Sequence, residues 1–267
     1  MLKTEMRNPA STYIDRMTTR EMIALIHQEN MNAVRAVEAA SDAIAQACDI
    51  VADRFEKGGR LIYIGCGTSG RLGVIDAAEC PPTFGVPPEQ VVGVIAGGLP
   101  AMARAGESQE DNAENGKRDL LLQNVNEKDV VMGISAAGGA SYVIGALECA
   151  KEAGAYTISL SSNPDTPMEK IADLAIVTDT GAEVITGSTR MKSGTAQKLV
   201  LNMISTCAMV KTGKVYENMM INLKPSNQKL RQRVIRIVSE IEKCDAEKAE
   251  SLLEANDWDI RKAVTEK

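Results

Sequence analysis

The sequence is poor in several residue types on which common enzyme chemistries depend. Its 267 residues contain one histidine, His27, and aromatic side chains make up only 3% of the chain. A Ser-His-Asp triad or a multi-histidine zinc site would have to be built around that single imidazole. His27 lies in a helical pattern with Met22, Ile23 and Ile26, so we interpret it as a residue on a helix face. Acid–base chemistry near neutral pH therefore falls to carboxylates, lysine, tyrosine or cysteine.

Signals for export, membranes and nucleic acids are also missing. Residues 1–11 lack the apolar core of a signal peptide, and no apolar stretch reaches the ~18 residues that span a bilayer. The formal net charge is −6 and no run of lysine and arginine exceeds two residues, which argues against a nucleic-acid partner. No two of the six cysteines form a CxxC pair. We therefore expect a cytoplasmic protein with reduced thiols, no metal site and no membrane contact.

What is present is an alternation of short apolar runs and helical stretches. The runs predict buried strands at 61–64, 91–95, 130–134, 156–160 and 174–177. The stretches between and after them predict helices at 69–79, 108–123, 139–153 and 190–211. This alternation is typical of an α/β fold in which helices cover both faces of a parallel sheet. We therefore predict a three-layer, doubly wound domain.

Helical segments flank this domain on both sides. We place an N-terminal helical segment at 1–44, the doubly wound domain at 45–215 and a helical C-terminal subdomain at 216–267. Thr18 or Thr19 is expected to cap a helix that ends near residue 28, and a second helix is expected at 31–56. A basic amphipathic helix is predicted at 226–242. The segment at 244–265 fits either part of a three-helix unit or a plain C-terminal helical cap, and we favour the cap.

Two strand-to-helix loops offer candidate binding residues. The first, at 65–71, contains GxGxxG but lacks the acidic residue that a dinucleotide site needs after the next strand. It suits a phosphate better, because backbone N–H groups at a helix N-terminus attract anions, although a plain tight turn is the alternative. The second loop, at 135–141, follows the third strand and is either a second cradle or a flexible glycine turn. The candidates are Gly67, Thr68, Ser69, Arg71, Ser135, Gly138 and Ser141.

Two glutamates could act as an acid and a base. Pro81 and Pro82 are expected to end a helix just after Glu79, at the negative end of its dipole, where the protonated carboxyl is favoured. Glu110 is expected in the first turn of a helix that Ser108 caps, where the positive dipole end keeps a carboxylate ionised. Opposite environments are typical of an acid–base pair. Solvated glutamates at helix ends are the alternative.

A polar segment at 183–195 precedes the long helix predicted at 190–211. It contains more donors than helix capping requires, so we expect it to bind an anion or sugar hydroxyls. The candidates are Glu183, Ser188, Thr189 and Lys192, with Arg190 between them.

Long strings in the chain resemble the N-acetylmuramic acid 6-phosphate etherases, a family with the sugar-isomerase (SIS) fold. The most specific strings are LIYIGCGTSGRLGVIDAAECPPTFG at 61–85 and AEVITGSTRMKSGTAQKLVLNM at 182–203. Shorter matches are IAGG at 95–98, ESQEDN at 107–112 and GKVYENMMINLKPSNQKLRQRVIRIV at 213–238. The resemblance covers about residues 5–265.

The resemblance implies a reaction and a division of roles. The family converts N-acetylmuramic acid 6-phosphate to N-acetylglucosamine 6-phosphate and D-lactate, a step in cell-wall sugar recycling. A base removes the C2 proton of the open-chain sugar, lactate leaves from C3 with help from an acid, and water adds to the double bond. The family pattern puts the acid at Glu79 and the base at Glu110. It further implies a homodimer with sites near the interface and no metal or redox cofactor.

The second loop departs from the family pattern. The family reads like AASGRTPY, with serine and threonine binding phosphate, whereas Ala137, Gly139 and Ala140 stand where serine, arginine and threonine are expected. Either Ser135, Ser141 and backbone N–H groups suffice, or phosphate binding is weak, or the substrate differs. Two other interpretations remain open, namely a sugar-phosphate-sensing regulatory protein and an aldose–ketose isomerase with the same fold.

Overall fold

The computed structural model describes residues 1–104, 109–222, 225 and 227–265. Within these ranges the chain divides into two compact units, one formed by residues 1–78 and 89–208 and the other by 79–88 and 209–267. The boundaries of the three segments expected from the sequence stay predictions. None of the helices in the described ranges is long and apolar enough to cross a membrane.

A five-stranded parallel sheet with strand order β2-β1-β3-β4-β5 forms the centre of the larger unit. Its strands are β1 (Leu61–Gly65), β2 (Val91–Ile95), β3 (Val130–Ile134), β4 (Tyr156–Ser161) and β5 (Leu174–Val177). The helices are α1 (Thr19–Ala39), α2 (Ser41–Glu56), α3 (Gly67–Phe84), α4 (Pro100–Ala103), α5 (Ala113–Leu121), α6 (Ser141–Glu152), α7 (Pro167–Ile171) and α8 (Lys192–Lys211). The prediction of a parallel sheet is therefore confirmed strand by strand.

Helices cover both faces of the sheet, as the uninterrupted burial of β1 and β3 requires. Ile62, Ile64 and Val131 on one face pack with residues of α5, α6 and α7 in a single apolar core. On the other face, Gly73 of α3 lies against Tyr63 so closely that a Cβ atom would stand 2.9 Å from the Tyr63 Cβ. The sheet is thus the middle of three layers, which confirms the predicted fold class.

The first helices differ from their predicted bounds. Thr18 caps α1 as expected: its hydroxyl accepts from the Glu21 N–H and the Glu21 carboxylate accepts from the Thr18 N–H. The helix then continues to Ala39 instead of ending near residue 28. The expected break at 29–30 was wrong because Glu29-Asn30 contains neither glycine nor proline, the two residues that disfavour a helix interior most.

A buried polar network fixes α3 against α8. The Asp76 carboxylate accepts hydrogen bonds from the Tyr63 hydroxyl at 2.9 Å, the Asn202 amide at 2.6 Å and the Ser205 hydroxyl at 3.2 Å. Nearer the start of both helices, the Ser69 hydroxyl lies 3.0 Å from the Gln197 amide oxygen. Ser69 and Gln197 lie near the N-termini of α3 and α8, whereas Asp76 and Ser205 lie further along, so the two helices run in the same direction.

We expect Asp76→Ala to destabilise the protein. The substitution removes the acceptor that the buried Tyr63 and Ser205 hydroxyls and the partly buried Asn202 amide share. Losing hydrogen bonds to a buried charged group is costly, so the free energy of unfolding should fall by about 3 kcal/mol. Urea unfolding followed by circular dichroism measures the change. Asp42→Ala, at an exposed position of α2, is the control, and equal midpoints for the two variants would contradict the structural role of Asp76.

The smaller unit has a core of its own. It contains a short antiparallel hairpin and three helices: β6 (Val215–Tyr216), β7 (Met219–Met220), α9 (Gln228–Glu242), α10 (Ala246–Ala255) and α11 (Ile260–Thr265). The buried side chains include Val234, Val238, Leu253 and Ile260. Because α9, α10 and α11 share this core, the structure favours the three-helix unit over the plain C-terminal cap that the sequence favours.

Candidate active site at the switch between β1 and β3

The strand order places the candidate site. The chain passes from β1 to β2 on one side and reaches β3 on the other, so the order reverses between β1 and β3. In open α/β sheets, ligands bind outside the carboxyl ends of the strands at such a point. The loops after β1 and β3 are the two that the sequence singled out. The structure thus places both glycine-rich loops at the same edge of the sheet, and we call the space outside this edge, between β1 and β3, the candidate crevice.

The first loop leads directly into α3. Gly70 packs against the strand it follows: a Cβ atom there would stand 2.5 Å from the Gly65 oxygen, so no larger residue fits. Gly67 opens the helix with φ +51°, and the space around it is empty. The Thr68 hydroxyl makes no hydrogen bond with any described residue. The first turn of α3 therefore offers backbone and hydroxyl donors to a ligand.

Two helix N-termini meet beside this loop. A Cβ atom on Gly194 of α8 would lie 3.4 Å from the Thr68 methyl carbon, and Ser69 bonds to Gln197 one turn further along. Since α3 and α8 are parallel, their positive dipole ends lie side by side. Glu183 offsets the positive dipole end of α8, because its carboxylate accepts hydrogen bonds from the N–H groups of Lys192 and Ser193. The N-terminus of α3 is the one left for an external anion.

The second loop is held in shape by hydrogen bonds within the loop. The Ser135 hydroxyl accepts from the Gly138 N–H at 3.1 Å, and Gly138 has φ +74°. A Cβ atom at Gly138 would stand 2.4 Å from the Thr166 methyl carbon, so glycine is required there. Gly139, in contrast, has open space around it. Ser141 begins α6, and its hydroxyl makes no hydrogen bond with the described part of the chain.

Glu110 is attached to this crevice through its backbone. Its carbonyl oxygen accepts from the Tyr142 N–H in the first turn of α6 at 3.0 Å. Burial, and then the charges of Glu110 and Asp111, raise the pKa of the Cys66 thiol to about 12, so Glu110 lies within electrostatic range of the first loop. The Glu110 carboxylate makes no hydrogen bond or ion pair with the described residues. It is therefore available to a substrate.

The expected electrostatic state of Glu110 was wrong. Helix α5 begins at Ala113, and its N-cap is Asn112, whose side chain accepts from the Asn115 N–H. Glu110 consequently precedes the helix and does not lie in its first turn. Burial raises the pKa of the Glu110 carboxyl above its ordinary value of 4.5, and the neighbouring charge of Asp111 raises it further. Ser108, the expected cap, lies outside the described residues.

Glu79 lies in the smaller unit, on an exposed part of α3. The prediction that Pro81 and Pro82 end the helix was wrong, because α3 continues to Phe84. Two prolines remove two helical N–H donors, but the Gly85 N–H still bonds to the Pro81 oxygen at 2.9 Å and closes the last turn. Glu79 is therefore more than a turn from the helix end. Its carboxylate makes no hydrogen bond or ion pair with any described residue.

Three charged candidates have internal partners. The Arg71 guanidinium donates to the carbonyl oxygens of Ala101, Met102 and Arg104 around the end of α4. Lys192 is 1% exposed, and its ammonium group donates to Glu29 and to the Ala182 oxygen, both at 2.6 Å. Glu183 caps α8. These side chains hold the segments that carry the site, and their predicted contacts with substrate stay predictions.

Ser188 and Thr189 occupy the turn before α8. The Thr189 N–H bonds to the Gly187 oxygen, and the Thr189 oxygen accepts from the Gly194 N–H, both at 2.9 Å. Neither side-chain hydroxyl makes a hydrogen bond with the residues that the structure describes. Both hydroxyls are only partly buried. Gly194, whose N–H bonds to the Thr189 oxygen, also lies against Thr68, so this turn and the first loop are neighbours.

Sequence reasoning missed three residues of this region. Asp111 acts on Glu110 through its charge, and Cys66 lies in the same electrostatic neighbourhood. Gln197 bonds to Ser69 from a neighbouring helix. The sequence could have indicated Gln197, because it stands four residues after Ser193 and therefore on the same face of α8, near the N-terminus of that helix.

Two family models match this chain. The glucokinase regulatory protein N-terminal SIS domain matches residues 43–151, and the SIS domain matches residues 103–206. A phosphoheptose isomerase from Neisseria gonorrhoeae has a similar structure, with a TM-score of 0.55 at 19% identity over 72% of this chain and 98% of that one. The parallel sheet, its strand order and the crevice at its switch point define a SIS-domain protein.

Relatives of much higher identity narrow the class. An N-acetylmuramic acid 6-phosphate etherase from Actinobacillus pleuropneumoniae serotype 5b (strain L20) is 52% identical over 261 residues, which cover 98% of this chain and 86% of that protein. The enzyme of the same name from Pasteurella multocida (strain Pm70) is 52% identical over 256 residues, 96% of this chain and 85% of that protein. The chain belongs to the N-acetylmuramic acid 6-phosphate etherase family.

Proposed function

We propose that the crevice between β1 and β3 is the active site for the reaction that defines the family. The chain is a carbon–oxygen lyase that cleaves the D-lactyl ether of N-acetylmuramic acid 6-phosphate in cell-wall sugar recycling. The observation that carries the proposal is the convergence of the α3 N-terminus, the two glycine-rich loops and the unpartnered carboxylate of Glu110. A phosphosugar needs an anion site and a base, and this edge of the sheet supplies both.

The phosphate binds at the N-terminus of α3. Gly67, Thr68 and Ser69 provide the first-turn donors, and Ser141, Ser188 and Thr189 add hydroxyl groups from the neighbouring segments. Ser135 and Gly138 keep the second loop in shape, since one accepts the hydrogen bond that the other donates. Arg71, Glu183 and Lys192 act through the segments that they anchor. This arrangement uses hydroxyl and backbone donors in place of the charge that is absent at Gly139.

Glu110 and Glu79 perform the proton transfers. Glu110 removes the proton from C2 of the open-chain sugar, and a raised pKa makes its carboxylate a stronger base than an ordinary glutamate. The C3–oxygen bond then breaks, Glu79 protonates the departing lactate, and water adds to the C2–C3 double bond. Both carboxylates are free of partners among the described residues, as groups that must exchange protons with a substrate should be.

Incubation of the purified protein with N-acetylmuramic acid 6-phosphate tests the activity. We expect D-lactate and N-acetylglucosamine 6-phosphate in equal amounts, without added metal. A folded protein that releases no lactate would contradict the activity. If such a protein still bound the phosphosugar in a calorimetric titration, the sugar-phosphate-sensing function would replace the etherase activity. The match to the SIS domain of a regulatory protein supports that alternative.

The pH dependence should report the environment of Glu110. A base must be ionised, so kcat/KM should rise with pH through the raised pKa of Glu110, at a pH above the ordinary 4.5. Asp111→Asn removes one of the two causes of that shift, so its acid limb should move to lower pH. Asp42→Asn, at an exposed position of α2, is the control. An unmoved limb would show that Asp111 does not act on the base.

We further propose that two chains pair and that the protein is cytoplasmic. An apolar groove between α1, α2 and α8, lined by Val34, Ile44, Leu199 and Met203, supports the pairing. Val34 and Met203 are 47% and 42% exposed, although both are apolar. The six cysteines are free thiols, in keeping with a reducing compartment. Sedimentation equilibrium gives the mass of the assembly, and the mass of one chain at micromolar concentration would contradict pairing.

A further inference from the structure

Gln197 has an amide group that is half satisfied. The side chain is 1% exposed, and its Oε1 accepts from the Ser69 hydroxyl at 3.0 Å. Its Nε2 is buried and has no hydrogen-bond partner among the described residues. An unsatisfied buried donor is costly, and such groups are rare in folded proteins. This hydrogen bond is also unfavourable for ligand binding, because the Ser69 hydroxyl has one proton and, while it donates to Gln197, cannot donate to a ligand.

A half-turn of the amide exchanges its two ends. With Nε2 directed at Ser69, the amide donates to the Ser69 oxygen, and the hydroxyl proton is released to point elsewhere. The heavy atoms of the glutamine occupy almost the same space in both orientations, so the buried network around Asp76 need not move. The two orientations differ in one respect that matters for a ligand: in the first Ser69 can only accept, and in the second it can donate.

We propose that Gln197 is a positioning residue that turns the Ser69 hydroxyl toward the phosphate of the substrate. Without a ligand, Ser69 donates to Gln197. With a phosphate at the N-terminus of α3, Gln197 donates to Ser69, and Ser69 donates to the phosphate. The anion supplies the differential interaction that favours the second orientation, because a hydrogen bond to a charged acceptor is stronger than one to a neutral amide.

The inference rests on the proposed phosphate site and makes a distinct prediction about binding. The phosphate is remote from C2 and C3, where the chemistry occurs, so its contacts are equally strong before and during the reaction. Losing such a contact raises KM and leaves kcat unchanged. A merely structural role for Gln197 would instead lower stability or kcat whether or not Ser69 is present.

A double-mutant cycle between Gln197→Met and Ser69→Ala separates these cases. Ser69→Ala should raise KM by about 10- to 100-fold, the value of one hydrogen bond to a charged group. Gln197→Met removes the donor to Ser69 and should raise KM by about fivefold in the otherwise unchanged protein, but by less than about twofold in the Ser69→Ala background. Gln28→Met, at an exposed position of α1, is the control and should leave KM unchanged.

Gln197→Glu is a second variant in case methionine prevents folding. It keeps the shape and the acceptor but, as a carboxylate, cannot donate, so the Ser69 hydroxyl continues to donate to residue 197 and KM rises. Part of this increase should disappear in the Ser69→Ala background. Equal effects in the two backgrounds, for either substitution, would overturn the inference.

The same cycle can be run on binding alone, by calorimetric titration with N-acetylglucosamine 6-phosphate. This readout distinguishes the two failures. A wild-type protein that neither releases lactate nor binds the product overturns the proposed function together with the role of Gln197. A wild-type protein that binds or reacts, with additive effects of the two substitutions, overturns only the role of Gln197.

Discussion

Glu79→Gln should lower lactate release by about 10²-fold or more while the protein still binds phosphosugar. Glutamine has nearly the same shape as glutamate but cannot give a proton to the departing oxygen. Proton transfer by a positioned acid contributes about 10²- to 10⁴-fold to a rate, so kcat should fall by that factor. The phosphate donors are elsewhere in the chain, and KM or the affinity for N-acetylglucosamine 6-phosphate should change little.

Glu89→Gln is the matched control for Glu79→Gln. Glu89 is an exposed glutamate of the same chain region and has no place in the proposed chemistry. It should release lactate at the wild-type rate. If Glu79→Gln retained more than about a tenth of the wild-type kcat, its carboxyl would not be the acid of the reaction.

Glu110→Gln should lose both lactate release and exchange of the C2 proton. The base acts first, and an amide cannot take the proton, so the reaction stops before any bond to lactate weakens. In D2O, the wild-type protein should introduce deuterium at C2 of N-acetylglucosamine 6-phosphate. Glu110→Gln should slow this exchange by about 10²-fold or more, the contribution of a general base. Proton magnetic resonance of the sugar measures the exchange directly.

The exchange experiment separates the two glutamates. Glu79→Gln should still exchange the C2 proton, because its base is intact, although it cannot release lactate. Glu114→Gln, at an exposed position in the first turn of α5, is the control for Glu110→Gln and should behave as the wild type. Exchange that survives in Glu110→Gln and fails in Glu79→Gln would reverse the two roles.

The sheet could be predicted from the sequence because its strands are short, rich in apolar and β-branched residues, and alternate with helical stretches. Three of the five strands have the predicted bounds, and the other two each extend one residue further. The helix bounds were harder to predict, because residues that favour a helix end and residues that favour its continuation stand close together in the sequence. Pro81 and Pro82 predict a helix end, yet the Gly85 N–H bonds to the Pro81 oxygen and the helix continues to Phe84.

The candidate site was predictable in position and less so in its charges. A glycine-rich loop after a strand marks the switch point, but its sequence does not say which polar groups already have partners. Lys192 and Arg71 look like anion ligands in the sequence, and each is engaged by acceptors far away in the chain or on another helix. The pKa of Glu110 is raised instead of lowered because the carboxyl is partly buried and lies beside Asp111. Helix α5 starts only at Ala113, after its N-cap Asn112, so Glu110 is not in its first turn.

Gly139 shows how this loop separates shape from recognition. The shape is fixed on either side, where Ser135 accepts from the Gly138 N–H and Gly138 presses against Thr166, while a Cβ atom at residue 139 would touch nothing. Mutation at this one position is therefore nearly free of structural cost. A charge, a hydroxyl or bulk can be added at residue 139 without rebuilding the domain, so this position can vary independently of the fold.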